Sequence, residues 1–171
     1  KTPVLDTSFK PSLEPFFEDI TVEHAVSYGS GATVDGSSVD LILDLYLPDT
    51  GGLGPRPLAV YIHRGAFVVG SRVEPGFYKQ AAQRGWVAAS IDYRLRGDNP
   101  LPGPPMQKML DALGGSSSSA LYRSVVAAVE DTLTALDYLL DRAEELYIDP
   151  DRIVLMGASA GAITSLNIAY A

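Results

Sequence analysis

Ile153-Val-Leu-Met-Gly157-Ala-Ser159-Ala-Gly161-Ala-Ile-Thr-Ser-Leu-Asn-Ile-Ala-Tyr-Ala171 is the stretch whose reading decides the fold. An apolar, β-leaning run over residues 153–156 meets Gly157-Ala158-Ser159-Ala160-Gly161 without a linker, and a small-residue, helix-compatible segment follows. The pattern predicts strand, sharp turn, helix. A serine on such a turn is held in a strained backbone conformation with its hydroxyl above the sheet edge. Glycine flanks it because strand and helix backbones crowd there. The amide of Ala160 then sits at a helix N-terminus, where partial positive charge can hold a developing oxyanion.

Moving outward from the turn, Asp149-Pro150-Asp151-Arg152 predicts a tight return into the serine-bearing strand. Before it, Val125, Val129, Leu133, Leu136, Leu140 and Ala143 recur at three and four residues, the spacing of one helix face. Residues 97–120 break the pattern with prolines, Gly103 and a Gly-Gly-Ser-Ser-Ser-Ser tract around an amphipathic piece at 106–113. An insertion of this length reads as a lid or a connecting linker. Its apolar residues Met106, Leu110, Leu113 and Tyr122 fit a lid with Phe67, Val68 and Val69, or a surface loop with a small core of its own.

Toward the N-terminus, residues 58–62 and 86–91 are short continuous apolar runs of the kind buried on both faces of a parallel sheet. A helix is expected between them over 74–84, with Gly85 as its cap. Residues 21–28 and 39–47 read as two antiparallel strands, with Gly29-Ser30-Gly31-Ala32 and Asp35-Gly36 as the turn chemistry between them. Residues 1–20, with Pro3, Pro11 and Pro15, suit an extended arm. The expected architecture is α/β: one domain over 21–171, a mostly parallel sheet opened by an antiparallel hairpin, helices on both faces and an insertion at about 97–120.

The chain has 171 residues, 46% of them apolar and 20% charged, the balance of an ordinary globular domain. A net charge of −8 without a Lys/Arg cluster sets nucleic acid aside. No run of about 18 apolar residues suggests a transmembrane segment. The absence of cysteine excludes disulfides and thiol metal sites. The chain opens at Lys1 rather than an initiator Met, which fits a removed leader or a trimmed sequence equally, so secreted and cytoplasmic locations both stay open.

Three motifs coincide: His63-Arg64-Gly65-Ala66-Phe67 after one buried strand, Asp92-Tyr93-Arg94 after the next, and the Gly157-x-Ser159-x-Gly161 turn. Together they resemble the α/β-hydrolase fold, and within it the esterase/lipase group whose oxyanion loop reads His-Gly-Gly-Gly. The resemblance implies that Ser159 is the nucleophile, that the amides of Ala160, Gly65 and Ala66 form the oxyanion hole, and that His63 braces the loop from behind. Arg64, Phe67 and Val68 become candidates for the substrate pocket, with Arg64 reaching either a nearby carboxylate or a polar part of the substrate. The ligand implied is a small-molecule ester; no cofactor and no metal are implied.

Two departures accompany the resemblance. Arg64 and Ala66 stand where the group has glycine, so either is strained if its φ is positive. In this fold the catalytic order is Ser, then Asp or Glu, then His. Twelve residues follow Ser159, none of them acidic or histidine, and His24 and His63 both precede it. Asp92 and Asp131 read better as structural than as triad acids, and His24 as a strand histidine. The expectation is a serine carboxylesterase whose catalytic Asp and His lie on a second polypeptide carrying the C-terminal half. A non-catalytic hydrolase-like ligand-binding protein and an amidase or peptidase on the same fold are the alternatives.

Overall fold

The computed structural model describes residues 14–49, 54–74, 76–112 and 119–170. Leu113, most of the serine tract and most of the N-terminal arm lie outside the described residues.

β1 (Ile20–Ala32) and β2 (Ser38–Pro48) form the opening hairpin, and β2 pairs antiparallel with β4 (Val87–Ile91). β3 (Arg56–Ile62) runs parallel to β4 on one side and to β5 (Ile148–Gly157) on the other, giving the order β1-β2-β4-β3-β5. The mixed, mostly parallel centre behind an antiparallel hairpin is the architecture the sequence predicts.

Apolar alternation sets the faces. Leu41, Leu43 and Leu45 of β2 join Leu58, Val60 and Ile62 of β3 and Ala89 and Ile91 of β4 in one core beneath α3 (Ala120–Asp141). On the other face Ala59 and Ala88, with no bulk to spare, let Tyr78 of α1 (Tyr78–Gln83) lie against the sheet beside Tyr46 and Tyr61. α4 (Ala160–Tyr170) follows β5 directly.

The hairpin turn falls at Asp35-Gly36, as expected, but not at Gly29–Ala32. β1 continues through Gly29–Ala32, and the chain reverses over residues 33–37, where Gly36 has φ +85° and the Asp35 carboxylate accepts from Thr33 Oγ1 (2.5 Å) and Ser37 Oγ (2.8 Å). The two strand glycines meet close neighbours instead. A Cβ on Gly31 would fall 2.2 Å from Arg94 Nε, and one on Gly29 would fall 3.2 Å from Thr134 of α3.

Two helix expectations are also corrected. α1 begins at Tyr78 rather than 74, because Glu74 is already in a turn closed by its N–H on the Ser71 carbonyl and Gly76 follows before the first helical residue. Its end is as expected, with Gly85 at φ +87°. In α3 the deepest line is Ser124, Ala128, Thr132, Ala135 and Leu139, while Val125, Leu133, Leu136 and Leu140 are half-buried. Small residues face the sheet so that the helix can approach it, and the larger apolar residues fill the flanks, so a stripe read from hydrophobicity alone is rotated from the true one.

Residues 96–112 form a 3-10 turn (Arg96–Asp98), a second (Pro104–Met106) and the short α2 (Gln107–Ala112). They are fastened by Arg123 to the Pro100 carbonyl (3.0 Å) and by the Gly103 N–H to Glu130 (2.9 Å). Leu110 is buried and Leu101 is exposed.

Candidate active site

β5 and α4 meet at Ser159, whose φ is +52°, the left-handed region that an L-residue enters at a cost of about 1–2 kcal/mol. The crowding that makes glycine necessary on both sides is explicit. A Cβ on Gly157 would sit 2.6 Å from the Gly161 carbonyl carbon, and one on Gly161 would sit 2.0 Å from the Ile62 oxygen and 3.2 Å from the His63 oxygen. Ile62 pairs with Gly157 in the sheet. The turn is therefore pressed against the point where β3 ends and the next loop begins.

That loop, residues 63–72, concentrates unusual backbone. Gly65 (φ +127°) and Gly70 (φ +114°) are joined by Ala66 (φ +53°) and Phe67 (φ +62°), so Ala66, Phe67 and Ser159 supply three of the six non-glycine residues with positive φ among the described residues. Ala66 occupies the conformation that glycine would take without strain, whereas Arg64 does not. The Gly65 carbonyl turns inward to accept from the N–H groups of Val68 (2.9 Å) and Val69 (3.1 Å). Among the described residues nothing accepts from the N–H groups of Gly65, Ala66 or Ala160.

Three attachments hold the loop. At its start, His63 is buried, its ring stacked on Tyr93 at 4.1 Å and 13° and its Nδ1 2.8 Å from the Arg64 carbonyl. In the middle, the Phe67 carbonyl accepts from the Arg96 N–H (2.7 Å). At its end, the Arg72 N–H donates to Asp92 Oδ1 (2.6 Å), and its guanidinium reaches Asp44 Oδ1 (2.8 Å) and Asp92 Oδ2 (2.7 Å). Burial alone would push the Asp44 carboxyl up, but hydrogen bonds from the Ala25 amide, His24 and Arg72 outweigh it and hold the group below its ordinary value.

The expected pocket residues divide. Arg64 and Val68 are exposed, with Arg64 Nε 3.5 Å from Glu74. Phe67, a candidate for the substrate pocket, is buried in the main core, edge-on to Tyr93 at 6.2 Å. The two acids weighed as triad members are engaged elsewhere. Asp92 holds Arg72, and Asp131 is buried against Arg94. Ser159 is exposed, and no described residue bonds its hydroxyl. His24 is on Asp44 (3.0 Å), so neither histidine serves the serine.

The sequence marks Asp92-Tyr93-Arg94 as a motif but assigns no task to Tyr93 or Arg94, and nothing in it singles out Arg72. A tyrosine and an arginine directly after a buried strand were the available signal for the first two. A lone loop arginine offers none.

Among known proteins, the BD-FAE family model matches residues 43–109 and 118–171. A phenmedipham hydrolase of Pseudarthrobacter oxydans is 31% identical over 75% of this chain and 23% of its own length. A non-reducing polyketide synthase of Emericella nidulans is 28% identical over 99% of this chain and 6% of its own. The native structure of the esterase Est2 from Thermogutta terrifontis superposes with a TM-score of 0.56 at 28% identity, covering 82% of this chain and 41% of that one. The chain thus spans less than half the length of each of these relatives.

Proposed function

Because the chain belongs to the BD-FAE family, an α/β-hydrolase domain of the esterase/lipase group, we propose that it carries the nucleophile and oxyanion hole of a serine carboxylic-ester hydrolase. Ser159 Oγ gives its proton to a base and attacks the ester carbonyl carbon, the carbonyl π electrons move to oxygen, and the N–H groups of Gly65, Ala66 and Ala160 receive that charge. Collapse expels the alcohol with a proton returned from the base, and water then hydrolyses the acyl-serine by the same route. His63 keeps the loop in place and transfers no proton.

One observation carries this reading. A serine with φ +52° is seated between two glycines that pack on the Ile62 and His63 carbonyls, beside the start of a loop whose Gly65 and Ala66 N–H groups have no acceptor among the described residues. A hydroxyl is a poor nucleophile without a neighbouring base. The catalytic His and its Asp are therefore assigned to polypeptide outside these 171 residues, packed along the outer edge of β5. The exposed Val154, Ile163 and Leu166, and a groove of about 390 Å³ bounded by Phe77, Trp86, Val154 and Met156, support that placement. No described helix is long and apolar enough to cross a membrane.

A fluorophosphonate probe tests the assignment in the natural full-length protein. Labelling that disappears in Ser159→Ala supports it. No labelling of folded wild type would favour the second reading, a hydrolase-like ligand binder, for which the observation is that no described residue bonds the Ser159 hydroxyl. Turnover of anilides in preference to esters would move the assignment to an amidase or peptidase.

A further inference from the structure

The oxyanion hole proposed above is assembled from two pieces of chain, the loop after β3 and the turn after β5, and its geometry depends on their spacing. The His63 carbonyl lies at their junction. From one side Gly161 packs on it, close enough that an added Cβ would be 3.2 Å away. From the other side the Tyr93 hydroxyl donates to it at 3.0 Å, in a buried bond. The same tyrosine stacks its ring on His63 and takes the edge of Phe67, the residues two before Gly65 and one after Ala66. Tyr93 therefore holds the loop on both sides of Gly65 and Ala66, at His63 and at Phe67.

Resting on the esterase reading, the geometry points to Tyr93 as a positioning residue that sets the separation between the Gly65 and Ala66 amides and the Ala160 amide. Left-handed residues such as Ala66 and Phe67 persist only where surrounding structure fixes them. A stack and a buried hydrogen bond on a flanking peptide supply that constraint. Burial pushes the phenol up from its ordinary value, so it stays a donor throughout the neutral range. Because Tyr93 is buried behind the loop, it contacts neither substrate nor the reacting atoms, and its removal should act on the transition state alone.

Tyr93→Phe in the full-length protein, assayed with a short-chain p-nitrophenyl ester, tests this. The expected result is a fall in kcat on the order of tenfold or more with KM within about twofold, the signature of an interaction made only in the transition state. Binding of a trifluoromethyl ketone, which forms the tetrahedral oxyanion adduct, should weaken by the same factor, while the pH profile stays in place. Unchanged kcat, or a rise in KM alone, overturns the inference. If Tyr93→Phe does not fold, Phe67→Leu removes the other half of the same wedge, and the same kcat-only loss is expected of it; an unchanged kcat there overturns the inference equally. A wild type that neither hydrolyses the ester nor takes the fluorophosphonate overturns the esterase reading and this inference together, whereas an active wild type matched by Tyr93→Phe overturns this inference alone.

Discussion

Arg94 and Asp131 form a buried pair in which the arginine Nε is 3.0 Å and its NH2 2.6 Å from Asp131 Oδ1, with both side chains almost fully withdrawn from solvent. The Arg94 N–H also donates to Asp131 Oδ2 (2.8 Å), and the remaining guanidinium hydrogens reach the Ala32 and Leu101 carbonyls and Glu130. One side chain thereby ties β4's exit to α3, the end of β1 and the segment after residue 96. Asp131→Ala should cost about 3–5 kcal/mol, because it removes the buried acceptor of the Arg94 Nε and backbone N–H and leaves the guanidinium only the part-exposed Glu130 as counter-charge. Arg94→Lys should not rescue the tie, since an ammonium has three donors and no planar fork. Urea unfolding of the two variants is the check.

At the far end of the loop after β3, Arg72 joins Asp44 and Asp92 while its carbonyl accepts from Ser90 Oγ at 2.8 Å. Arg72→Met removes the guanidinium bonds to Asp44 and Asp92 and leaves only the backbone bonds of residue 72 to Asp92 and Ser90, loosening that end of a loop that contains four residues of positive φ. The rate of fluorophosphonate labelling should fall on the order of tenfold to a hundredfold through misplacement of the amides. Labelling kinetics beside a thermal melt separate this from unfolding.

Gly161→Ala brings a methyl carbon to within 2.0 Å of the Ile62 oxygen, a backbone atom that cannot yield without shifting β3 against β5. The variant should lose labelling altogether and melt well below wild type, as overpacking of this kind costs about 1–3 kcal/mol or more. Retained labelling at the wild-type rate would contradict the crowding seen at the turn.

Acid sensitivity should include a contribution from the hairpin turn. Hydrogen bonds from the Thr33 hydroxyl, then from Ser37, hold the Asp35 carboxyl down to about 2. A depressed carboxylate stabilises the fold above its unfolded value, and that contribution is lost as pH falls from about 4 toward about 2. Carboxyl-carbon NMR should follow the Asp35 titration to that range, and Asp35→Asn should flatten the acid limb of the melting temperature between those values.

How much of this was legible in sequence follows from the physics of each element. The strand order's ingredients, the Ser159 turn and the loop at His63 were readable because apolar runs and paired glycines report local backbone demands directly. The glycines at 29 and 31 misled because a glycine required by a neighbour, Arg94 or Thr134, looks the same in sequence as one required by a turn. The rotation of α3 was hidden because close helix approach selects small residues such as Ala128 and Ala135, which carry little hydrophobic signal. The Arg94–Asp131 and Arg72–Asp92 pairs join residues 37 and 20 positions apart, a separation at which a single sequence holds no pairing information.

Ala66 and Phe67 share left-handed backbone but should respond oppositely to glycine. At Ala66, with φ +53°, glycine relieves about 1–2 kcal/mol of steric strain and gives back about 0.4–1 kcal/mol through a freer unfolded chain. The first effect is larger, so Ala66→Gly should raise stability modestly, and since the proposed donor is the backbone N–H, fluorophosphonate labelling should proceed at the wild-type rate or faster. At Phe67, with φ +62°, the same relief is available, yet the ring is buried edge-on to Tyr93 in the main core. Deleting a buried phenylalanine side chain costs about 3–5 kcal/mol, which exceeds the strain released. Phe67→Gly should therefore destabilise the fold and slow labelling. Chemical denaturation of the two variants in parallel decides between strain and packing, and equal effects of the same sign would refute the division of roles along the loop.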